Sequence, residues 1–323
     1  MKKSLLVLGV AVAALASCTN EEVTEVAQNR AIGFNSFVGN TTKATDVETA
    51  DLTDFYVFGS YDNDASIVFS NTKVTGTSGG TYTPATTAYW QPDKNYAFAA
   101  YADGNGGQLT TTDNVSFANG TLSISDYSVD NTKDLIAATA TATGPAVGSN
   151  HSVGLTFEHL LSKVKFTFTT EASPEGYRME VSNLTFNGIK TGASCAFSNN
   201  TISTAWTGTN GDYTVATLDD YAVEGGSKAT EEIFVIPQSN AAITASFTVT
   251  VYDEETDAQI ATKPYSNVSL AVPDDNLWTN GYAYNYTATI NPDDVDDQLK
   301  PITFTVTEVD EWVPASDQPL TVN

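Results

Sequence analysis

The sequence predicts an all-β fold of two β-sandwich domains in tandem, and three observations predict it. Short runs rich in Thr, Val, Phe and Tyr are broken by Gly, Asn, Asp and Pro, the punctuation of strands and turns. Apolar residues recur with a period of two: Val164, Phe166 and Phe168 alternate with Lys163, Lys165 and Thr167, as in a half-buried strand. The Val/Thr-rich remainder argues against long helices, and only Phe157–Val164 reads as room for one helical turn.

The chain opens with Met1-Lys2-Lys3, continues in an apolar run from Leu5 to Ala16, and reaches Leu15-Ala16-Ser17-Cys18. A basic start, a short apolar stretch and a small-residue cleavage site make residues 1–17 a signal peptide, too short for a permanent membrane span. Leucine three positions before a cysteine, with a small residue directly before it, resembles the lipobox of bacterial lipoproteins. The resemblance implies cleavage between Ser17 and Cys18, diacylglycerol on the Cys18 thiol and a further acyl chain on its new amine. Several chains anchor stably where one would not, since each buried CH₂ contributes about 0.8 kcal/mol. Residues 18–31, with Glu21, Glu22 and Glu25, read as an acidic tether between lipid and fold. Glu21 and Glu22 resemble acidic surface-export signals, which implies an outward-facing protein.

The first sandwich is expected over residues 32–148. A boundary is placed in Ala140–Asn150, where the chain is small, flexible in composition and uncharged. The second is expected over residues 149–323. Within it Phe247, Val249 and Val251 alternate with Thr248 and Thr250, while Ile233-Phe234-Val235-Ile236 is apolar on both faces and fits a strand inside a sandwich. The acidic loop Asn291–Asp297 precedes a last alternating run, Ile302, Phe304 and Val306. Asp103-Gly104-Asn105-Gly106-Gly107 reads as a turn, because Gly and Asn supply positive φ there.

Composition narrows the function classes. The formal net charge is −25, which repels nucleic acid and anionic lipid. Charged residues are nevertheless only 16% of the chain, and 15 Tyr, 15 Phe and 4 Trp supply a core that a disordered acidic chain lacks. With Cys18 lipidated only Cys195 remains, so no intrachain disulfide staples the fold. Cys195 stands in Ala193-Ser194-Cys195-Ala196-Phe197 and reads as a buried structural thiol; His159 reads as a hydrogen-bonded structural residue. No catalytic residue and no metal site is expected. Calcium at Asp293/Asp294/Asp296/Asp297 or Asp253/Glu254/Glu255/Asp257 is the weaker reading, because the D-x-D-x-D-G spacing is missing. Trp90, Trp206, Trp278 and Trp312 raise a sugar-stacking reading, set against burial in the core.

Several segments in order resemble the fimbrillin family, the type V pilus subunits and related tip and anchor proteins of Bacteroidales. They are Ile32-Gly33-Phe34 followed by Thr42-Lys43-Ala44-Thr45, then Asp54-Phe55-Tyr56-Val57-Phe58-Gly59, and Tyr89-Trp90 leading to Tyr96-Ala97-Phe98-Ala99-Ala100-Tyr101. Asp134-Leu135-Ile136-Ala137-Ala138, Leu155–Val164, Trp278–Tyr284 and Ile302–Val306 with Trp312 complete the pattern. The resemblance implies two transthyretin-like β-sandwich domains, lipoprotein export to the outer membrane and surface assembly with other fimbrillin subunits. It also implies that a trypsin-like protease cuts just past the first strand, releasing lipid and strand together. The groove so opened takes a strand from another subunit. Here Lys43 and Ala44 are the candidate cut, and Ile302, Phe304 and Val306 the candidate donor knobs within residues 301–323, with Leu320 and Val322 as the other choice. Related pilins usually carry arginine at the cut, whereas this chain has Lys43; a cut at Arg30 would leave the Ile32 strand in place. The expected partners are other subunits, the membrane through the lipid, and a host or bacterial surface ligand. A glycan-binding lipoprotein of a polysaccharide-uptake system is the alternative, and a glycosidase ranks last.

Overall fold

The structure, a computed structural model, describes residues 30–38, 52–77, 81–104, 106–109, 114–146, 149, 151–170, 176–215, 221–223, 227–239, 243–270, 278–296 and 304–311. Strands dominate it: β1 (Gly33–Val38), β2 (Asp54–Tyr61), β3 (Ser66–Thr75), β4 (Thr83–Pro84), β5 (Asn95–Asp103), β6 (Asn114–Ala118), β7 (Thr121–Ser128), β8 (Leu135–Thr143) and β9 (Ser152–His159). There follow β10 (Ser162–Thr169), β11 (Tyr177–Ser198), β12 (Thr201–Thr214), β13 (Tyr221–Val223), β14 (Ser227–Ala229), β15 (Ile233–Val235), β16 (Thr244–Asp253), β17 (Gln259–Ser269), β18 (Tyr282–Thr289) and β19 (Thr305–Glu311). The one helix among the described residues, Pro292–Asp296, has five residues. The all-β expectation is met.

The first sheet has the order β1-β9-β8-β5-β2-β3-β4. Its inner face buries Ile32, Phe34, Phe55, Val57, Phe69, Trp90, Phe98, Ile136, Leu155 and Phe157 in one cluster, with alternate residues of β2, β5, β8 and β9 facing it. Gly59 is required there: a Cβ on it would come within 2.7 Å of the Phe98 ring.

In the second half, β14-β10-β18-β19 with β15 face β17-β16-β11. Between them lies a core of Val164, Phe166, Phe168, Val181, Phe186, Phe247, Val249, Trp278, Tyr286 and Phe304. β11 carries the join between the halves. Its first part, Tyr177–Asn187, pairs with β16, and its later part, Gly192–Phe197, pairs with β7 of the β6–β7 hairpin. That hairpin and β11 cover the outer face of the first sheet, burying Phe58, Ala99, Tyr101, Leu122, Ile124, Tyr127, Cys195, Phe197 and Trp206 in a third cluster. β15 serves two cores at once, as its two-faced apolar run predicts: Ile233 and Val235 face the second-half core, Phe234 and Ile236 the third.

Three sequence expectations are corrected. The boundary at 148/149 is not where the sheets part, because β9 runs parallel to β1 in the first sheet and the crossing comes at Leu160-Leu161, both fully buried. Ala140–Asn150 does not behave as a linker at its start. Residues up to Thr143 belong to β8, and Gly144 is clamped by Asp93 N to Gly144 O at 3.1 Å and Gly144 N to Lys94 O at 2.8 Å. Small residues there permit close approach: a Cβ on Gly144 would lie 2.0 Å from the Gln91 carbonyl. The helical turn expected in Phe157–Val164 is instead the junction of β9 and β10.

The C-terminal run is the other correction. β19 pairs antiparallel with β18 of its own chain, with Val306 opposite Tyr286. Phe304 is 3% exposed, with its ring 5.2, 6.0 and 5.7 Å from those of Phe166, Phe168 and Phe247. The open edge of β18 and the apolar floor beneath it are satisfied within the chain, so this strand is core, not a free donor. Phe304→Ala should therefore lower monomer stability by about 3–5 kcal/mol, and Phe304→Asp should unfold the second half. Denaturant unfolding of the purified variants checks this; normal unfolding with loss of self-association alone would restore the donor role.

Candidate functional site

The groove beneath β1 is the place where the first sheet depends on one strand bonded on both sides. Ile32, Phe34 and Ser36 alternate toward the interior, and Phe34 is completely buried. Its ring meets Phe55 at 6.1 Å, Phe69 at 5.8 Å and Phe98 at 5.7 Å, two of the three edge-to-face. Such pairs contribute about 0.5–1.5 kcal/mol each beyond area burial.

β1 is held on both flanks. On one side it pairs in parallel with β9, Phe34 opposite Val153 and Ser36 opposite Leu155. On the other, Phe34 and Tyr82 exchange backbone hydrogen bonds of 3.1 and 2.8 Å, Ile32 N donates to Ala88 O at 2.8 Å, and Trp90 N to Arg30 O at 2.9 Å. The strand thus closes the first sheet through the 81–90 segment, and Tyr82 fixes that segment by donating from its hydroxyl to Leu52 O at 2.6 Å. The seat is imperfect at one point. The buried Ser36 hydroxyl has no hydrogen-bond partner among the described residues, a defect that costs about 1–3 kcal/mol.

The candidate processing residues Ser17, Cys18, Lys43 and Ala44 lie outside the described residues, as do Ile302, Leu320, Val322 and Trp312. For Val306 the backbone pairing with Tyr286 is described and the side chain is not. Arg30 lies before β1 and donates to the Trp90 carbonyl at 2.8 Å. Trp90, Trp206 and Trp278 are buried, so the described tryptophans serve the core and offer no face to a sugar. Asp253 accepts from the Thr256 amide and hydroxyl at 2.7 and 2.6 Å, which holds its carboxyl below the usual range, and Asp257 pairs with Arg178. His159 is structural, its Nδ1 2.7 Å from Asp134 Oδ2 with both side chains buried where the halves meet. Sequence reasoning missed the 81–90 segment as the second flank of β1; the alternation of Tyr82, Pro84 and Trp90 around it is too short to signal a strand.

A family model described as fimbrillin-like matches residues 42–312. Among solved structures, a candidate cell adhesion protein from Bacteroides uniformis is 21% identical with a TM-score of 0.50, covering 88% of this chain and 98% of its own. A candidate cell adhesion protein from Bacteroides ovatus is 15% identical with a TM-score of 0.48 over the same shares. The fimbrial anchor protein Mfa2 from Porphyromonas gingivalis is 13% identical with a TM-score of 0.39, again over 88% and 98%. The first likeness shows a shared fold. No curated protein matches the chain.

Cys195 sits in β11 against the third cluster, 5% exposed, and burial pushes its thiol up to about 12. The thiolate is the reactive form, so little of it is present at pH 8. Native protein should resist iodoacetamide at Cys195, and denaturant should release the site; labelling mapped to that residue by mass spectrometry checks the expectation.

Proposed function

The chain belongs to the fimbrillin-like family, and on that premise we propose that it is a structural and adhesive subunit of a surface fibre, exported as a lipoprotein and without catalytic activity. Lipid on Cys18 holds the precursor at the outer membrane, and residues 18–31 tether it. Proteolysis after Lys43 then removes the tether together with β1, and a strand from a neighbouring subunit takes the vacated place. The donor comes from the C-terminal region beyond the strand that fills its own core.

The observation that carries this reading is the seat of β1. Removing one strand bares the Phe55, Phe69, Phe98, Leu155 and Phe157 side chains on the floor and leaves backbone donors and acceptors open on both flanks. An exposed apolar groove with two unpaired edges recruits a strand, whose backbone supplies hydrogen bonds and whose alternate side chains fill the floor. The buried Ser36 hydroxyl supports exchange over simple retention, since a donor with an apolar residue there would avoid its desolvation cost. A cut at Arg30 would not open the groove, because Arg30 precedes the whole of β1.

Two tests follow. Lysyl endopeptidase treatment of the full chain should give a new N-terminus at Ala44 and a ladder of oligomers, and Lys43→Ala should block both. A synthetic peptide of residues 30–38 added in excess should suppress the ladder. A product that begins elsewhere, or that stays monomeric after cleavage at Lys43, would overturn the mechanism. Separately, Cys18→Ser should remove the acyl label and release the protein from the membrane fraction; retention there would place the anchor elsewhere.

A further inference from the structure

A cleft of about 910 Å³ lies on the outer face of the first sheet, on the side away from the β1 groove. That face changes character along β2, β5 and β8. Where the β6–β7 hairpin covers it, it presents Phe58, Ala99, Tyr101 and Ala137. Beyond the hairpin the same strands present Ser60, Ala97, Asn95, Thr141 and Thr143, register partners across the sheet. Small and hydroxylated residues form the floor.

Three turns wall the cleft, and each is built from residues at positive φ. Asp62, Asn63 and Asp64 stand at 56, 54 and 65°; Asn119-Gly120 closes β6–β7 at 50 and 74°; Asn199-Asn200 closes β11–β12 at 51 and 54°. The walls are tied to one another. Asp64 accepts from the Ser60 hydroxyl and from the Asn119 amide. Asn200 Oδ1 accepts from Thr139 N at 2.6 Å and its hydroxyl at 3.1 Å, and Asn200 N donates back to that hydroxyl at 2.9 Å. A cleft so braced has little conformational freedom left to lose on binding.

We propose that this cleft is a binding site for a neutral oligosaccharide. The lining holds no Lys or Arg to pair with phosphate or carboxylate; the carboxylates of its wall are already engaged, Asp64 by Ser60 and Asn119 and Asp62 by Lys94 at 2.8 Å. A chain of net charge −25 repels anions further. Of its lining rings, Tyr96 and Phe98 are buried and Tyr61 is partly exposed, which leaves nothing for a lipid or an apolar helix to anchor on. The exposed groups include the carboxamides of Asn63, Asn95, Asn119 and Asn199 and the hydroxyls of Thr141 and Thr143, with Thr143 donating to Asn95 Oδ1 at 3.1 Å. Carboxamides donate and accept from one end, which matches vicinal hydroxyls of a sugar, while the Tyr61 ring packs on the inner core, 4.9 Å from Tyr96, so recognition here is polar. The volume falls within the roughly 300–1,000 Å³ usual for ligand clefts, room for a short oligosaccharide.

The test is affinity electrophoresis of the full chain through gels holding dextran, laminarin, yeast mannan or arabinan, with polygalacturonate as the anionic control. At least one neutral polymer should retard the protein, and polygalacturonate should not. Thr141→Arg should weaken the neutral interaction at least tenfold by filling the floor. The double variant Asn63→Gly, Asn199→Gly should do the same by removing two carboxamides, glycine being chosen because both residues stand at positive φ. Unfolding midpoints and oligomer formation after cleavage at Lys43 should stay as in the parent. Retardation by none of the neutral polymers, retardation by polygalacturonate alone, or retardation unchanged in both variants would overturn the proposal.

Discussion

The first sheet closes only because β1 is hydrogen-bonded on both sides at once. β9 lies along one edge and the 81–90 segment along the other, and Trp90 Nε1 ties that segment to His151 O, just before β9, at 3.1 Å. Phe34 is the physical key to that closure, since its ring is the shared neighbour of Phe55, Phe69 and Phe98 from three different strands. Every other feature of the first half inherits this arrangement. β9 runs parallel to β1 over Ser152–Phe157 and then pairs antiparallel with β8 through Glu158 and His159. The 81–90 segment needs the Tyr82 hydroxyl fixed on Leu52 O.

The second half repeats the device with the chain reversed. Phe304, just before the last strand, touches Phe166, Phe168 and Phe247, as Phe34 in the first strand touches its own three rings. Between the two closures runs β11, long enough to serve both cores because its inward phase is reset. Met179 and Val181 face the core in one phase and Leu184 and Phe186 in the other, across a register shift between Ser182 and Thr185 with Asn183 at a φ of 55°. A bulge of this kind turns the strand so that later residues, Ala193, Cys195 and Phe197, meet the third cluster.

The strand content, the two faces of Ile233–Ile236 and the Val164, Phe166, Phe168 face were legible because burial in a sheet writes itself into a period of two. The crossing between halves was written as well, but as a change of phase. Inward residues are Val153, Leu155 and Phe157 before it and Val164, Phe166 and Phe168 after it, with Leu160 and Leu161 both buried at the reversal. Two adjacent leucines look like a helical turn only if the phase on either side is ignored. Lys163, read as an outward residue, is 2% exposed beside Glu232 at 3.6 Å, because at the junction both faces of the strand are covered. Ala140–Gly144 misled for a different reason: Ala, Thr and Gly mark flexible linkers and close approaches alike, and only the neighbour decides which. The β6–β7 hairpin on β11 depends on partners about seventy residues away and the cleft walls on partners 55 and 61 residues away, which local patterning cannot reveal. Positive-φ turns at Asn119-Gly120 and Asn199-Asn200 were readable as turns, not as facing walls.

The proposed cleavage past β1 would change the thermodynamics of the groove more than its geometry. In the intact chain β1 is tethered to β2 by a connection of 39–53, so its effective concentration at the groove is on the order of millimolar whatever the protein concentration. Phe34 and Ile32 then need only modest intrinsic affinity to stay seated. Once the tether is cut, the same strand becomes a separate ligand whose retention falls as it is diluted. In the proposed fibre a neighbour's strand would keep its tether, and so keep the advantage the severed strand would have lost. In the proposed exchange β2, β3, β5 and β8 would keep their own ladders, while Ser152–Phe157 of β9, which pair with β1, would pass to the incoming strand. What the proposed cut would alter is which of two strands is covalently close.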